Sequence, residues 1–293
     1  MKRLDKSEIV FKLLAYILLT IFALCCLYPF VFIIMNSISQ KSFVDDGLVS
    51  VIPMGMPQLK AYAAVFENKK FWLAYCNAFY ITIYGTAISM LVGICGAYAL
   101  SKTRLLFGRG FNFILTVTLW FSAGIIPTYQ NYVVFRDGLF AGNGRVFFIF
   151  ALGVNAFNII LLRNYFQSVP QEIEEAATID GATEFQILTR VYIPISKSSI
   201  VTVAMFYAVE FWNGYLWAQM LLGEDDLPLT VFIKLYMENT IANIEEAGGG
   251  NLDYSSYSLR YAFIVCSIIP VILIYPKIQK YFASGVNVGG VKE

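Results

Sequence analysis

The sequence predicts an all-α integral membrane protein with six transmembrane helices, and three observations lead there. Of its 293 residues, 58% are hydrophobic and only 14% charged, against roughly 45 to 50% and about 25% in an ordinary soluble domain. Six apolar stretches reach, or nearly reach, the ~20 residues that a helix needs to cross a hydrocarbon core of about 30 Å. They run approximately over 13–35, 71–100, 111–135, 146–162, 200–222 and 261–281. The charges collect between these stretches, with a bias of sign that assigns the loops to two sides.

The first span follows Lys2, Arg3 and Lys6, as a secretory signal would, but its apolar core is too long for one and no small-x-small cleavage site follows. It is expected to be a retained helix. The second has no Asp, Glu, Lys or Arg from Phe71 to Ser101, and in the third Gly124 and Pro127 mark an expected kink. The fourth is short and is expected to end where Arg163 snorkels to the interface; the sixth carries Lys277 and Lys280 in its last turns. Residues Gly248, Gly249 and Gly250 read as a flexible outer loop.

An even number of spans puts both termini on one side. With the N-terminus in the cytoplasm, the inside holds Lys2, Arg3, Lys6, Lys12, Lys102, Arg104, Arg109, Arg163, Arg190, Lys197, Lys277, Lys280 and Lys292, most of the 21 basic residues. That is the direction of the positive-inside rule. The loop between spans five and six, where seven acidic residues from Glu224 to Asp253 meet only Lys234, falls outside. The whole of 1–293 thus reads as one transmembrane domain in a cell membrane, with both termini cytoplasmic.

Composition also excludes functions. There is no histidine, so a Ser-His-Asp triad, a histidine-ligated metal and a histidine proton relay are all impossible. A net charge of +1 offers no surplus for a nucleic acid. Cys25, Cys26, Cys76, Cys95 and Cys266 sit inside apolar runs without C-x-x-C spacing, and read as small packing residues, not as a metal or redox site. No catalytic residue and no metal ligand is expected, and no internal repeat of the kind found in secondary transporters is visible.

The segment 168–194, between spans four and five, is the most informative. Ser168 and Gln171 have capping-box spacing, Pro170 suits a first turn, and Glu172, Glu174 and Glu175 complement the positive end of a helix dipole. Gly181 offers a left-handed stop, and Thr183 with Gln186 repeats the capping box for a second short helix ending before Pro194. An acidic first helix is poorly suited to anionic lipid. Ala176 and Ala177, flanked by carboxylates, suit docking into a groove with basic residues at its rim.

Glu175-Ala176-Ala177, Asp180-Gly181-Ala182, Phe185, Ile187 and Ile193-Pro194 resemble the EAA loop of binding-protein-dependent ABC importer permeases. The resemblance extends through Phe121 to Tyr129, Arg163 to Phe166, Phe206 to Val209, Trp212-Asn213 and the tail from Gln279 to Lys292, and so covers most of the chain. It is similar to the maltose-transporter-like sugar permeases, in the branch associated with complex oligosaccharides. The resemblance implies a type I ABC importer transmembrane domain with cytoplasmic EAA coupling helices. It also implies a second homologous permease, two ABC ATPase subunits that bind ATP and Mg, an extracytoplasmic solute-binding protein and an oligosaccharide substrate. ATPase coupling would fall to Glu174, Glu175, Ala176, Ala177, Asp180, Gly181, Ala182 and Phe185, with Glu175 forming an ion pair to the ATPase. The tail 282–293 would reach between the ATPase subunits through Gly289, Gly290 and Lys292. The sequence contains no Gly-Lys dipeptide, so it has no phosphate loop of its own and no cofactor is expected in this chain.

Glu210 is the one acidic residue deep in an apolar span, which by default marks a functional site. Beside Trp212, Asn213 and Tyr215 it suits a sugar, whose C–H faces stack on rings and whose hydroxyls need partners. The resemblance implies a small or neutral residue at this position, so Glu210 is a departure. It is open to contacting substrate, pairing with a basic group on the partner permease or sitting protonated in a packed interface, and the alternative function makes it a proton-linked group in a secondary transporter.

Overall fold

The computed structural model describes residues 6–121, 124, 126, 129–130, 132–134, 144–246 and 253–285. Among them every regular element is helical: α1 Lys6–Ile38, α2 Lys41–Asp45, α3 Lys60–Glu67, α4 Lys69–Ser101, α5 Gly108–Trp120, α6 Gly144–Leu152, α7 Ala156–Gln167, α8 Gln171–Ile179, α9 Glu184–Ile187, α10 Lys197–Trp212, α11 Tyr215–Leu221, α12 Leu229–Glu246 and α13 Ser256–Gly285. A π-turn at Leu188–Tyr192 and a last helical turn at Ile193–Ile195 continue α9.

Among the described residues three helices are long and apolar enough to cross a membrane, namely α1, α4 and the Ser256–Pro276 part of α13. Two bent pairs also pass when each is counted as one span: α6 with α7, bent by 52°, and the α9 segment with α10, bent by 87°. The expected fourth span is therefore two helices broken at Gly153–Asn155, and the fifth is interrupted at Asn213–Gly214, between α10 and α11. Gly214 is needed there, because a Cβ on it would come within 2.7 Å of the Phe148 ring. The third expected span begins in α5, which stops after 13 residues at an extended Phe121. Gly124 has φ +77; Pro127 lies outside the described residues, as do Gly248, Gly249 and Gly250.

The chain divides into two compact units. The first comprises 1–72 and 233–269. The most apolar stretch of α1 buries none of its residues in the chain, so that helix presents its side chains outward on all sides, which water does not suit. Its C-terminal end is tied down: Asn36 donates to Phe32 O at 2.8 Å and accepts at its carbonyl from Ser258 Oγ at 3.2 Å. The Phe71 and Tyr236 rings meet Phe263 edge-on at 5.3 and 5.2 Å between centroids.

The second unit comprises 73–232 and 270–293, and its core gathers the buried Ile81, Phe148, Leu162, Phe166, Tyr207 and Phe211. Phe211 lies so close to α4 that a Cβ on Gly85 would meet its ring at 2.7 Å. Arg145 pairs with Asp226 in the turn after α11, and Asn77 donates to the carbonyls of Asp225 and Leu227 at 2.9 and 3.3 Å. Of the five cysteines expected to pack, only Cys266 is buried; Cys25, Cys26, Cys76 and Cys95 are exposed on the chain's surface. Apolar surface on a helix that need not face water leaves small apolar residues free to sit outside the core.

Candidate functional site

The segment 168–194 forms a helical hairpin whose turn is the one its sequence specifies. Gly181 has φ +81, and its N–H donates to Thr178 O while Ala182 N–H donates to Ala177 O, both at 3.0 Å. These two bonds satisfy the last carbonyls of α8 as a Schellman motif. Thr183 then caps α9 with Gln186 returning the bond, at 3.4 and 2.8 Å.

Three local expectations differ from the structure. Ser168 does not cap α8; it closes α7, donating from Oγ to Tyr165 O at 2.7 Å. Pro170 is the N-cap, with φ −56 and ψ 131, so the helix starts at Gln171 and Ser168 lies too far upstream to reach its first N–H groups. The second limb does not end before Pro194 but runs through it to Ile195. Proline clashes with the carbonyl four residues back and cannot donate to it. The π-turn relieves this, with Ile193 N–H bonded to Leu188 O.

Neighbouring Glu174 and Glu175 diverge by about 100° around α8 and do different things. Glu175 is exposed and accepts from Gln171 Nε2 at 3.0 Å. Glu174 turns inward, with 16% of its side chain exposed, and meets Lys102 Nζ at 2.6 Å; Lys102 is 10% exposed. Tyr192 Oη donates to the same Glu174 oxygen at 2.6 Å, and Lys102 Nζ also donates to Tyr192 Oη at 3.1 Å. The ammonium lies 4.2 Å from the centroids of both the Tyr98 and Tyr192 rings, a distance at which ring faces attract a cation. Arg104 Nη2 lies 3.7 Å from Glu174 and pairs with Glu184, which accepts from Tyr98 Oη at 2.7 Å. Burial alone disfavours the Glu174 carboxylate, but the hydrogen bonds from Lys102 and Tyr192 and the charges of Lys102 and Arg104 outweigh it. They hold its carboxyl below the usual carboxylate range. A cleft of ≈ 670 Å³ borders the cluster, lined among others by Thr103, Arg104, Glu175 and Thr178.

Ala176, Asp180, Gly181 and Phe185 are exposed, with Ala177 and Ala182 partly so. Ile179 and Phe185 stand 86% and 72% exposed at the tip. The tail residues Gly289, Gly290 and Lys292 lie outside the described residues.

The residues expected along a path take different local partners. Glu210 in α10 faces Asn155, whose Nδ2 lies 3.3 and 3.5 Å from its carboxylate oxygens. Asn155 is also the N-cap of α7, accepting at Oδ1 from Phe157 N–H at 3.0 Å and Asn158 N–H at 3.4 Å. Its carbonyl is thereby occupied and its amino group is left to Glu210. Trp212 instead packs edge-on against Phe79 at 5.5 Å, while Asn213 is exposed and ends α10 and Tyr215 opens α11. Tyr98, Lys102, Arg104, Tyr192 and Asn155 were not among the residues expected in a site. Only Asn155 carried a local signal, as a capping residue before an apolar run.

Comparison with known proteins gives this geometry a family. A polygalacturonan/rhamnogalacturonan transport system permease protein of Bacillus subtilis is 33% identical over 287 residues, covering 97% of this chain and 98% of that one. An arabinooligosaccharides transport system permease protein of Halalkalibacterium halodurans is 25% identical over 275 residues, 92% of each. Among solved structures, a chain from the crystal structure of a bacterial ABC transporter involved in the import of the acidic polysaccharide alginate superposes with a TM-score of 0.84. That chain is 39% identical, and the match covers 96% of this chain and 100% of it. Residues 3–288 match the model of the binding-protein-dependent transport system inner membrane component. The chain belongs to that family: it is a multi-pass bacterial membrane protein with the type I fold, a permease component of an ABC importer and not itself an enzyme.

Proposed function

We propose that this chain forms half of the translocation path of an ATP-driven oligosaccharide importer. It would work with a second homologous permease, an extracytoplasmic solute-binding protein and two ABC ATPase subunits that bind ATP and Mg. The observation that carries the reading is the hairpin: Glu175, Ala176, Ile179 and Phe185 are exposed around a turn held rigid by Gly181 and the Thr183 cap. An apolar tip flanked by the outward carboxylates of Glu175 and Asp180 suits a groove with basic residues at its rim. In this reading 168–194 is the cytoplasmic coupling loop, the two termini are cytoplasmic, and the six spans include the two broken pairs. Glu175, Ala176, Ala177, Asp180, Gly181, Ala182 and Phe185 form the ATPase-facing unit, with Glu175 supplying the ion pair, while Glu174, expected in the same unit, turns inward to Lys102 and holds α8 in place. The tail 282–293, through Gly289, Gly290 and Lys292, reaches the ATPase subunits. Glu210, Trp212, Asn213 and Tyr215 border the path of the sugar. The relatives are named for polygalacturonan and rhamnogalacturonan, for arabinooligosaccharides and for the acidic polysaccharide alginate, which supports an oligosaccharide. The proton-linked alternative for Glu210 finds no support among them.

The test is uptake by proteoliposomes that contain the complete complex and its binding protein. Fragments of polygalacturonan, alginate and arabinan are supplied in turn. Uptake of at least one is expected to require both ATP and the binding protein and to survive a protonophore. Accumulation driven by a proton gradient in liposomes lacking the ATPase would overturn the reading.

A further inference from the structure

The residues around Lys102 join three pieces of chain at one buried ammonium. Tyr98 and Lys102 stand at the C-terminal end of α4 and just beyond it, Glu174 comes from the first limb of the hairpin, and Tyr192 from the second. Lys102 and Glu174 are 2.6 Å apart at 10% and 16% exposure, and Tyr192 hydrogen-bonds to both. A second tie reinforces the first, since Glu184 at the start of α9 accepts from Tyr98 and pairs with Arg104. Both limbs are therefore fastened to the same end of one long helix. Phe166 closes the cluster, its ring 5.6 Å from Tyr192 and 6.5 Å from Tyr98. Each of the four charged groups there, Lys102, Arg104, Glu174 and Glu184, has a partner of opposite sign, and charge-assisted hydrogen bonds of this kind are stronger than neutral ones and directional. Glu175, one residue along, is left facing outward.

We propose that Lys102, Glu174 and Tyr192 form an internal joint that makes the hairpin and α4 move as one body, so that α4 carries the displacement of the hairpin into the membrane. These are positioning residues: they act through the hairpin and touch neither nucleotide nor cargo. The proposal rests on the reading of the hairpin as the ATPase-facing element. Without the joint, the hairpin can still follow the ATPase, but α4 is no longer obliged to follow the hairpin.

The experiment uses the assembled complex with ATP, Mg and vanadate as probes, so the identity of the sugar does not enter. Spin labels on Thr103→Cys and Thr178→Cys, two residues that line the same cleft, report the separation of α4 and the hairpin by electron paramagnetic resonance. In the otherwise native complex, the distance distribution is expected to be the same without nucleotide and after trapping with ATP and vanadate. In Lys102→Met and Glu174→Gln backgrounds it should broaden or shift on trapping, while ATP hydrolysis stays within about twofold. Hydrolysis-coupled uptake of whichever fragment the complex imports should fall about tenfold, the effect of losing one buried charge-assisted hydrogen bond. Lys102→Arg, which keeps the charge and the ring contacts, should restore the native behaviour.

A native distance that itself changes on trapping overturns the joint, as does a Lys102→Met complex whose distances match the native one in both states. Parallel loss of hydrolysis and assembly in both variants would make the cluster a mere folding element and also overturns it. If Lys102→Met does not assemble, the near-isosteric Glu174→Gln and the native distances decide. Failure of the underlying reading shows separately: Glu175→Ala would then leave ATP hydrolysis and its stimulation by the loaded binding protein at the native level.

Discussion

Around Lys102, two carboxylates meet two cations and two phenol hydroxyls, and aromatic rings cover the ammonium on two sides. Around Glu210, the described residues supply the carboxylate with one side-chain amide, that of Asn155, at 3.3 and 3.5 Å. A carboxylate has about four acceptor positions, so Glu174 is largely satisfied within its own chain whereas Glu210 keeps capacity to accept more. The first arrangement resists separation and suits the transmission of force. The second sits beside the break between α6 and α7 and suits a partner that arrives from elsewhere, such as a sugar hydroxyl or a group on a second permease. Two acidic residues in one unit thus take opposite roles, and the difference lies in how many of their lone pairs the chain itself uses.

The largest effect that tests this contrast belongs to the turn. Gly181 has φ +81, and nothing lies within 4 Å of a Cβ built there, so any penalty is conformational and not steric crowding. Gly181→Val should lower ATP-dependent uptake more than tenfold with the chain still inserted, because a β-branched residue in the left-handed region is strained by about 1–3 kcal/mol. Gly181→Asn, which tolerates that region, should keep most of the activity; equal loss in both variants would mean that the turn's shape is not what matters.

Next come the adjacent glutamates. Glu174→Ala leaves Lys102 buried without its counter-charge and should destabilise the protein by about 3 kcal/mol, the lower end for breaking a buried pair. Glu175→Ala should change stability by less than about 0.5 kcal/mol, as for an exposed substitution, yet reduce the ATPase activity of the complex. Thermal unfolding in detergent and ATP hydrolysis, measured on both variants, separate the two roles.

Acid sharpens the same comparison. The Glu174 carboxyl lies below its ordinary value of 4.5, so the stability it contributes is fully present above that value and is lost as pH falls through the lower folded value. The unfolding temperature should therefore decline below about pH 4.5, the unshifted value from which such a loss begins. Glu174→Gln should flatten that decline; an identical acid limb in the variant would remove Glu174 as its source.

The smallest effect is expected at the other site. Asn155→Ala removes a helix cap, which costs about 1 kcal/mol, and leaves Glu210 without its amide. Glu210→Gln should preserve folding and change uptake or fragment preference by a fewfold. Native uptake in both Glu210→Gln and Trp212→Ala would make that region packing alone.

What the sequence revealed depended on range. Gly181, Thr183 and Gln186 act on their own backbone within three residues, so spacing alone exposed them. Ser168 and Pro194 failed by the same local logic, because Pro170 took the cap and a π-turn accommodated the second proline. The Lys102 joint was invisible: its members lie 72 and 90 positions apart in sequence, and no periodicity links Lys102 to Glu174 or Tyr192. Counting apolar residues located the long helices α1, α4 and α13 but passed over the interruptions elsewhere. Gly153, Asn155, Asn213 and Gly214 are turn and cap formers, and a hydropathy window averages such residues away.

The π-turn at Leu188–Tyr192 has one further consequence. A single extra residue in a turn shifts the phase of everything after it by about 100°. On an ordinary helix Ile187 and Tyr192, five residues apart, would stand about 140° from one another; the wider turn brings them closer in phase, and both are buried, with Tyr192 against Lys102. Removing one residue between Leu188 and Tyr192 would restore an ordinary helix while rotating the tyrosine hydroxyl away from its ammonium. The segment therefore keeps time as well as shape: its length, and not only its composition, sets which side chain arrives at the joint.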